Sequence, residues 1–328
     1  MAKVAIHILT HNGLKYLPEL FASISSQSLF VSPTLKSDLQ IKVRIRDNHS
    51  TDGTREWLAQ YASQFLPNAQ LELSEKNNGF VGGHNELYKK IKDEKYVLLV
   101  NQDTVLEKDY IEKLVDHLDT YPTVASVSGL ILRFDGKDDN RGSIDSAGIT
   151  LKRNRYAKDR NAGDYIEKHH IKDYPPYEHV FGVSGTLPIY RITAVNSTLD
   201  VDSTSSVELF DEDFVMYKED VDLAYRLQAQ GHKASVVNYA IAYHDRTVGL
   251  DKPRARRTPQ SRYNSYRNHM WMLIKNETSK TFWPDAPHII SHEIAKFFYL
   301  LLREPKTLLA WREIIGKAHK MRNKAKTT

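Results

Sequence analysis

The chain has 328 residues, 41% hydrophobic and 27% charged, with a net charge of +5 and no cysteine. That length suits one large domain with appendages or two domains, and disulfides, thiolate nucleophiles and cysteine-rich zinc sites are excluded. The charge is divided: residues 1–251 hold 29 Lys and Arg against 36 Asp and Glu, and residues 252–328 hold 17 against 5. An acidic body with a basic tail points to an anionic partner for the tail, such as phospholipid, phosphorylated lipid or nucleic acid. A merely solvated tail explains the same division.

The first half alternates strand and helix signals. MAKVAIHILTHNG lacks a secretory signal, because its apolar run is short and reads as a strand over residues 4–9. A helix over 14–26 follows, with Leu17, Leu20, Phe21 and Ile24 on one face. The next strand, 41–45, runs to Asp47, and a turn through Asp52 and Gly53 leads to a helix over 56–65. Then come a strand at 71–73, a glycine-rich loop, a helix at 84–92, a strand at 96–100, a helix at 108–121 and a strand at 124–130. This alternation predicts a mostly parallel sheet covered by helices on both faces.

Residues 133–180 are polar and break the rhythm, as an irregular insertion or hairpin excursion would. Regular structure resumes over 183–190, with a helix at 220–230 and a strand at 234–237. From Pro259 onward the pattern is helical, and no stretch reaches membrane-spanning length; the most apolar, residues 297–302, is far too short. The absence of cysteine fits a reducing compartment.

Ligands of open parallel sheets bind beyond the carboxyl ends of the strands. Thr10-His11-Asn12, Asp47, Asn101-Gln102-Asp103 and His244 all fall at such ends. Between them lies Asn77-Asn78-Gly79-Phe80-Val81-Gly82-Gly83-His84-Asn85, whose glycines would allow close backbone approach to a ligand. It fits neither the P-loop nor the dinucleotide-binding pattern, so an NTPase or dehydrogenase is not supported. Glu219, Asp220 and Asp222 crowd three carboxylates into four residues where a helix begins. Such a cluster survives on a wet surface, at a helix N-terminus that it complements, or at a site that needs a base.

The ordered motifs I-x-x-L-T-H-N, D-N-x-S-T-D-G-T, N-N-G-F-V-G-G-x-N, N-Q-D-T and F-D-E-D-F-x-M-Y-x-E-D-V-D-L run from Ile6 to Leu223, within a likeness that covers about residues 4–244. Together they resemble the inverting family 2 glycosyltransferases with the GT-A fold, in the rhamnosyltransferase-like branch that builds bacterial surface polysaccharides. The resemblance implies a catalytic domain over 1–250, with 131–180 as the insertion or acceptor-side segment, and a basic helical region over 251–328.

It further implies that Thr10, Asn12 and Asp47 grip the nucleotide and that Asn78, Gly79, Gly82 and Asn85 line the nucleotide-sugar pocket. Asn101 and Asp103 stand at the family's metal-binding D-x-D, with Asn for the first Asp and Gln102 for the usual Pro. Asp103, with His244, is expected to hold Mg²⁺ or Mn²⁺ against the donor diphosphate. Asp220 is the expected general base, with Glu219 and Gly185 on the acceptor side. Asp222 is expected to point elsewhere, and Arg226 to pair with a carboxylate or with phosphates.

The implied donor is a dTDP- or UDP-linked sugar, rhamnose by branch resemblance, and the implied acceptor is lipid-linked or polysaccharide. A nucleotidyltransferase lacks its glycine- and lysine-rich signature here, while a non-catalytic binder of the same fold is kept open by the incomplete D-x-D. Arg254, Arg256, Arg257, Arg262 and Arg267 interleave with Tyr263, Tyr266 and Trp271, but no nucleic-acid motif accompanies them, and none is expected as a partner. Helices over 292–302 and 308–321 have apolar faces and many cations. They would lie on an anionic membrane at the cytoplasmic face, or pack against the catalytic domain or a second copy in a homodimer.

Overall fold

In the computed structural model, which describes residues 3–31, 40–133, 141–199, 208–245 and 258–324, the first strand is buried on both faces. Along β1 (Lys3–Thr10), Val4, Ile6 and Ile8 enter one apolar core and Ala5 the other, the period-two alternation of a strand covered on both sides. The first core is completed by α1 (Leu17–Ser25), whose Leu17, Leu20, Phe21 and Ile24 are fully buried at helical spacing. After the short α2 (Ser28–Val31) come β2 (Gln40–Asp47), α3 (Thr54–Phe65), β3 (Gln70–Leu73), α4 (Gly79–Tyr88) and β4 (Tyr96–Asn101). The short β5 (Thr104–Leu106), α5 (Tyr110–Thr120) and β6 (Val124–Arg133) follow.

Strands β3, β2, β1 and β4 lie side by side and parallel. The polar segment after β6 forms β7 (Arg141–Ser146), β8 (Ile149–Leu151), β9 (Ala157–Asp159), β10 (Tyr165–Glu167) and β11 (Tyr177–Val180), so the expected excursion is made of short strands. Only β12 (Ile189–Arg191) is regular within 183–190; it runs antiparallel between β4 and β6, and α6 (Ile192–Asn196) follows it. After α7 (Glu219–Ala229), β13 (Lys233–His244) lies parallel to β6 and is three times the expected length. It bulges between Val237 and Ile241, where a Cβ on Gly129 would overlap the carbonyl of Ala240. The result is an α/β fold with a large central sheet flanked by helices.

The C-terminal part is α8 (Pro259–Asn276), α9 (Ser279–Arg303) and α10 (Trp311–Lys324). Trp271 and Met272 of α8 and Met321 of α10 join the apolar core that holds Val81 and Tyr190, so these helices pack into the sheet layer. Among the described residues no helix is long and apolar enough to cross a membrane.

Candidate active site

Strand register assembles the site. Thr10 pairs with Asp47, Leu9 with Asn101 and His244 with Thr104, which gathers the polar strand ends at one edge of the sheet. Asp47 is fully buried. Its Oδ1 accepts from Thr10 Oγ1 at 3.0 Å and from Ser50 Oγ, and its Oδ2 accepts from Ser50 N–H at 2.9 Å. Asp47 therefore ties two loops together from beneath. Asn12 is exposed above it with a left-handed φ of 48°, its N–H donating to Ser50 Oγ at 2.8 Å and its Oδ1 accepting from Thr51 N–H at 2.8 Å.

Gln102 does more than stand in for another residue. Its Oε1 accepts from His11 N–H at 2.8 Å and its Nε2 donates to His11 O at 3.0 Å, so one amide clamps the first-strand loop to the loop after β4. A Cβ on Gly13 would overlap that amide.

The glycine-rich passage is not a loop. Helix α4 starts at Gly79, five residues before the expected start, and takes up Gly82 and Gly83. A Cβ on Gly83 would sit 2.5 Å from Leu9 Cδ1, and one on Gly82 2.9 Å from Asn78 Cβ. Gly83 thus serves close packing of α4 on β1 and Gly82 makes room for the Asn78 side chain at the head of α4, whereas Gly79, at φ 71°, opens the turn and accepts at its carbonyl from Asn48 Nδ2 at 2.8 Å. Asn85 is fully buried and spends its amide on main chain: Nδ2 donates to Phe210 O at 2.8 Å, and Oδ1 accepts from Leu209 and Phe210 N–H. It holds the F-D-E-D segment in place and presents nothing to the cleft.

At the other end of the edge, Asp103 Oδ1 lies 3.3 Å from His244 Nε2, and His244 Nδ1 lies 2.9 Å from Asp145 Oδ2. Burial alone would lower the His244 pKa, but the bonds to Asp103 and Asp145 outweigh it and push it up to about 9. A carboxylate holding the far ring nitrogen is the arrangement that orients a metal-ligating imidazole. With the proton on His244 Nε2 displaced, the pair would offer one carboxylate oxygen and one imidazole nitrogen to a divalent cation that takes its remaining ligands from diphosphate and water. Among the described residues no three His, Cys, Asp or Glu side chains converge to hold a metal by themselves.

The carboxylates of α7 follow a strained approach. Val215, Tyr217 and Lys218 have φ of 60°, 74° and 69°, which is costly, above all for a β-branched residue. Asn268 of α8 offsets the strain: its Nδ2 donates to the carbonyls of Phe214, Met216 and Tyr217 at 2.7, 2.8 and 2.7 Å. Val215 O also accepts from Val81 N–H at 3.2 Å, so the loop closes over the start of α4.

Asp220 remains partly exposed at the head of α7. Its Oδ2 accepts from Gly185 N–H at 3.2 Å and its Oδ1 from Val221 N–H at 2.8 Å. A Cβ on Gly185 would touch Phe80, Asp220 and Glu219 at 3.7–3.8 Å, so Gly185 keeps the space before both acids clear. Burial raises the Asp220 pKa, with the Lys218 charge opposing. Burial, then the Asp220 charge, pushes the buried Glu219 up to about 8. One acid is thereby kept protonated beside another that main-chain donors help to ionise.

Residues 5–181, more than half of the chain, match the description Glycosyl transferase family 2. The chain belongs to that family. The carboxylates of α7 lie beyond the matched residues, so their placement rests on the geometry above. No curated protein matches the chain. Solved structures do. GalNAc-T7 with UDP, GalNAc and Mn2+ aligns with a TM-score of 0.61 at 12% identity, over 84% of this chain and 48% of that one. Staphylococcus aureus TarS 1–349 in complex with UDP-GlcNAc aligns at 0.55 and 17% identity, over 97% and 81%. The mannosyltransferase PcManGT from Pyrobaculum calidifontis, with GDP-Man and Mn2+, aligns at 0.52 and 17%, over 97% and 75%. The chain thus spans about half the length of the first of these. At such identities the likeness is one of fold, the GT-A fold.

In this family 2 chain, Asp222 and Arg226 are structural. Asp222 is fully buried and accepts from Arg226 Nε at 3.1 Å, Lys275 Nζ at 2.8 Å and Asn276 Nδ2 at 2.9 Å; Arg226 pairs with this carboxylate, so its phosphate role is set aside. Part of the basic tail also meets its anions inside the molecule. Lys317, Lys320 and Lys324 reach Asp213 at 2.8, 2.7 and 2.8 Å, and Lys324 and Lys275 reach Asp211. Arg254, Arg256 and Arg257 lie outside the described residues. Sequence reasoning missed Gln102, Asn268 and Asp145; each works through side-chain bonds to distant residues, for which a linear motif holds no signal.

Proposed function

We propose that this glycosyltransferase transfers a sugar from a nucleoside-diphosphate donor, dTDP- or UDP-linked and rhamnose by branch resemblance, with inversion at the anomeric carbon. The acceptor is a lipid-linked or polysaccharide glycan, and the reaction takes place at the cytoplasmic membrane face. The observation that carries this reading is the partly exposed Asp220, held by Gly185 N–H at the edge of the sheet that also gathers Asn12, Asp47 and Asp103.

In the step, an acceptor hydroxyl oxygen bonds to the anomeric carbon while its proton passes to an Asp220 oxygen. The bond from that carbon to the phosphate oxygen breaks, and the nucleoside diphosphate leaves with the electron pair. Glu219, kept protonated, donates a hydrogen bond to the acceptor and adds no second negative charge beside the base. Asn12 and the loop tied by Asp47 bind the nucleotide, while Asn78 and Gly79 at the head of α4 border the sugar. Asp103 and His244 would hold Mg²⁺ or Mn²⁺, which when bound neutralises diphosphate charge.

The test is release of nucleoside diphosphate from a panel of dTDP-, UDP- and GDP-sugars with lipid-linked acceptor mimics, with product anomeric configuration read by NMR. Acceptor-dependent release with inversion, lost in Asp220→Asn, is expected. Retained configuration, or full activity in that variant, overturns the assignment.

A further inference from the structure

Helix α9 carries two stripes. One, through Ala286, Ile289, Glu293, Lys296 and Leu300, faces the body and closes a small core with Tyr266, Ala310 and Ile314. The other, through Ile290, Ile294, Phe298 and Leu301, repeats at helical spacing and is exposed. Beyond it Leu302, Leu309 and Ile315 are 79, 69 and 68% exposed, far more than isolated surface hydrophobics require.

Charge is sorted in the same sense. All four acids of residues 279–324 are engaged inward: Asp285 with Arg153 and Arg155, Glu293 with His269, Glu304 with Arg262, and Glu313 with Arg267. Lys280, Arg303, Lys306 and Arg312 are exposed and have no anionic partner among the described residues. Beside α9 a cleft of about 380 Å³ is lined by Lys152, Arg153, Asn154, His288, Ser291 and His292, a donor set suited to a phosphate group. An apolar stripe, cations free to reach past it and no outward acid are what an anionic interface selects. A second copy docked tail to tail would have to supply acids to meet these cations, and the acids of residues 279–324 are already paired.

From this we infer that α9 lies on the surface of a bilayer containing anionic phospholipid, its exposed stripe in the acyl boundary and the flanking cations and cleft on the head groups. The inference deepens the lipid-linked acceptor reading by naming the surface that brings the enzyme to it, and its readout does not involve sugar transfer.

The experiment is flotation of the full chain with vesicles of phosphatidylcholine alone or mixed with phosphatidylglycerol, at low and high salt. Binding to the anionic vesicles that weakens with salt is expected, falling by more than roughly tenfold in Leu302→Asp and by roughly fivefold for each of Lys280→Gln, Lys306→Gln and Arg312→Gln. Donor binding by each variant, measured by calorimetry, reports that the chain is folded. No binding to either vesicle overturns the inference, as does equal binding to both. A dimer seen by light scattering and dissociated by Leu302→Asp also overturns it. Failure of donor binding in the unaltered chain would instead count against the glycosyltransferase reading.

Discussion

Asn268 reaches across from α8 to donate to the carbonyl of Tyr217 at 2.7 Å, two residues before Glu219. The same amide serves Phe214 and Met216, so a C-terminal helix holds the strained loop that aims the carboxylates. Replacing it by Leu takes their side-chain donor from the carbonyls of Met216 and Tyr217, while the Phe214 carbonyl keeps the Met216 N–H. The expected cost is about 3 kcal/mol of stability, with turnover reduced more than donor affinity. Denaturant unfolding and a kcat-against-KM comparison check it; unchanged stability would show that the clamp is idle.

Asp220→Asn keeps the shape of the base and removes its proton affinity. Transfer should fall by roughly 10²–10⁴-fold, with donor affinity within a factor of about two. Calorimetry beside single-turnover kinetics separates the two quantities. A variant that binds donor poorly would reassign Asp220 to donor binding.

Because burial raises the Asp220 pKa, the acid limb of kcat/KM should lie above the ordinary carboxylate range. The base acts deprotonated, so activity falls as pH drops through that raised value. Glu219 is raised as well, to about 8. Its contribution to stability is complete below the ordinary Glu value and is lost as pH rises through the folded one. Glu219→Gln should therefore match the parent in melting temperature at pH 5 and exceed it at pH 9. Equal melting temperatures at both would refute the burial of a protonated Glu219.

Asp211 and Asp213 titrate in the opposite sense. Burial opposes ionisation, but Lys275 and Lys324 hold Asp211 down at about 2, and Lys317, Lys320 and Lys324 hold Asp213 below its usual range. The stability they contribute is present above the ordinary Asp value and disappears as pH falls toward about 2. Hydrogen exchange should accordingly show α10 losing protection in that acid window before the parallel strands do. Asp213→Asn should loosen α10 at neutral pH.

Asp103→Ala should abolish any gain in nucleoside-diphosphate affinity that Mn²⁺ confers, and His244→Ala should weaken it by roughly 10-fold or more. Titration of UDP or dTDP by calorimetry, with Mn²⁺ or EDTA, reads this without turnover. Metal-enhanced affinity that survives Asp103→Ala would place the cation elsewhere.

The amino-acid sequence by itself determined the alternating strands and helices, because Val4, Ile6 and Ile8 at period two and Leu17, Leu20, Phe21 and Ile24 at helical spacing are local signals. It also set which strand ends carry Thr10, Asp47, Asn101 and His244, since a polar residue closing an apolar run is visible in one dimension. It left the purpose of Gly83 open, since a glycine that admits a ligand and one that admits Leu9 look alike until the helix is laid on the strand. Tertiary structure alone decided that Asn85 serves the main chain of Phe210, that Gln102 clamps His11 and that the lysines of α10 neutralise Asp211 and Asp213. Those bonds join residues about 90 to 125 positions apart. Chain connectivity encodes no such distance; pairing of β1 with β4 brings His11 to Gln102, and packing of α10 onto the body brings its lysines to Asp211 and Asp213.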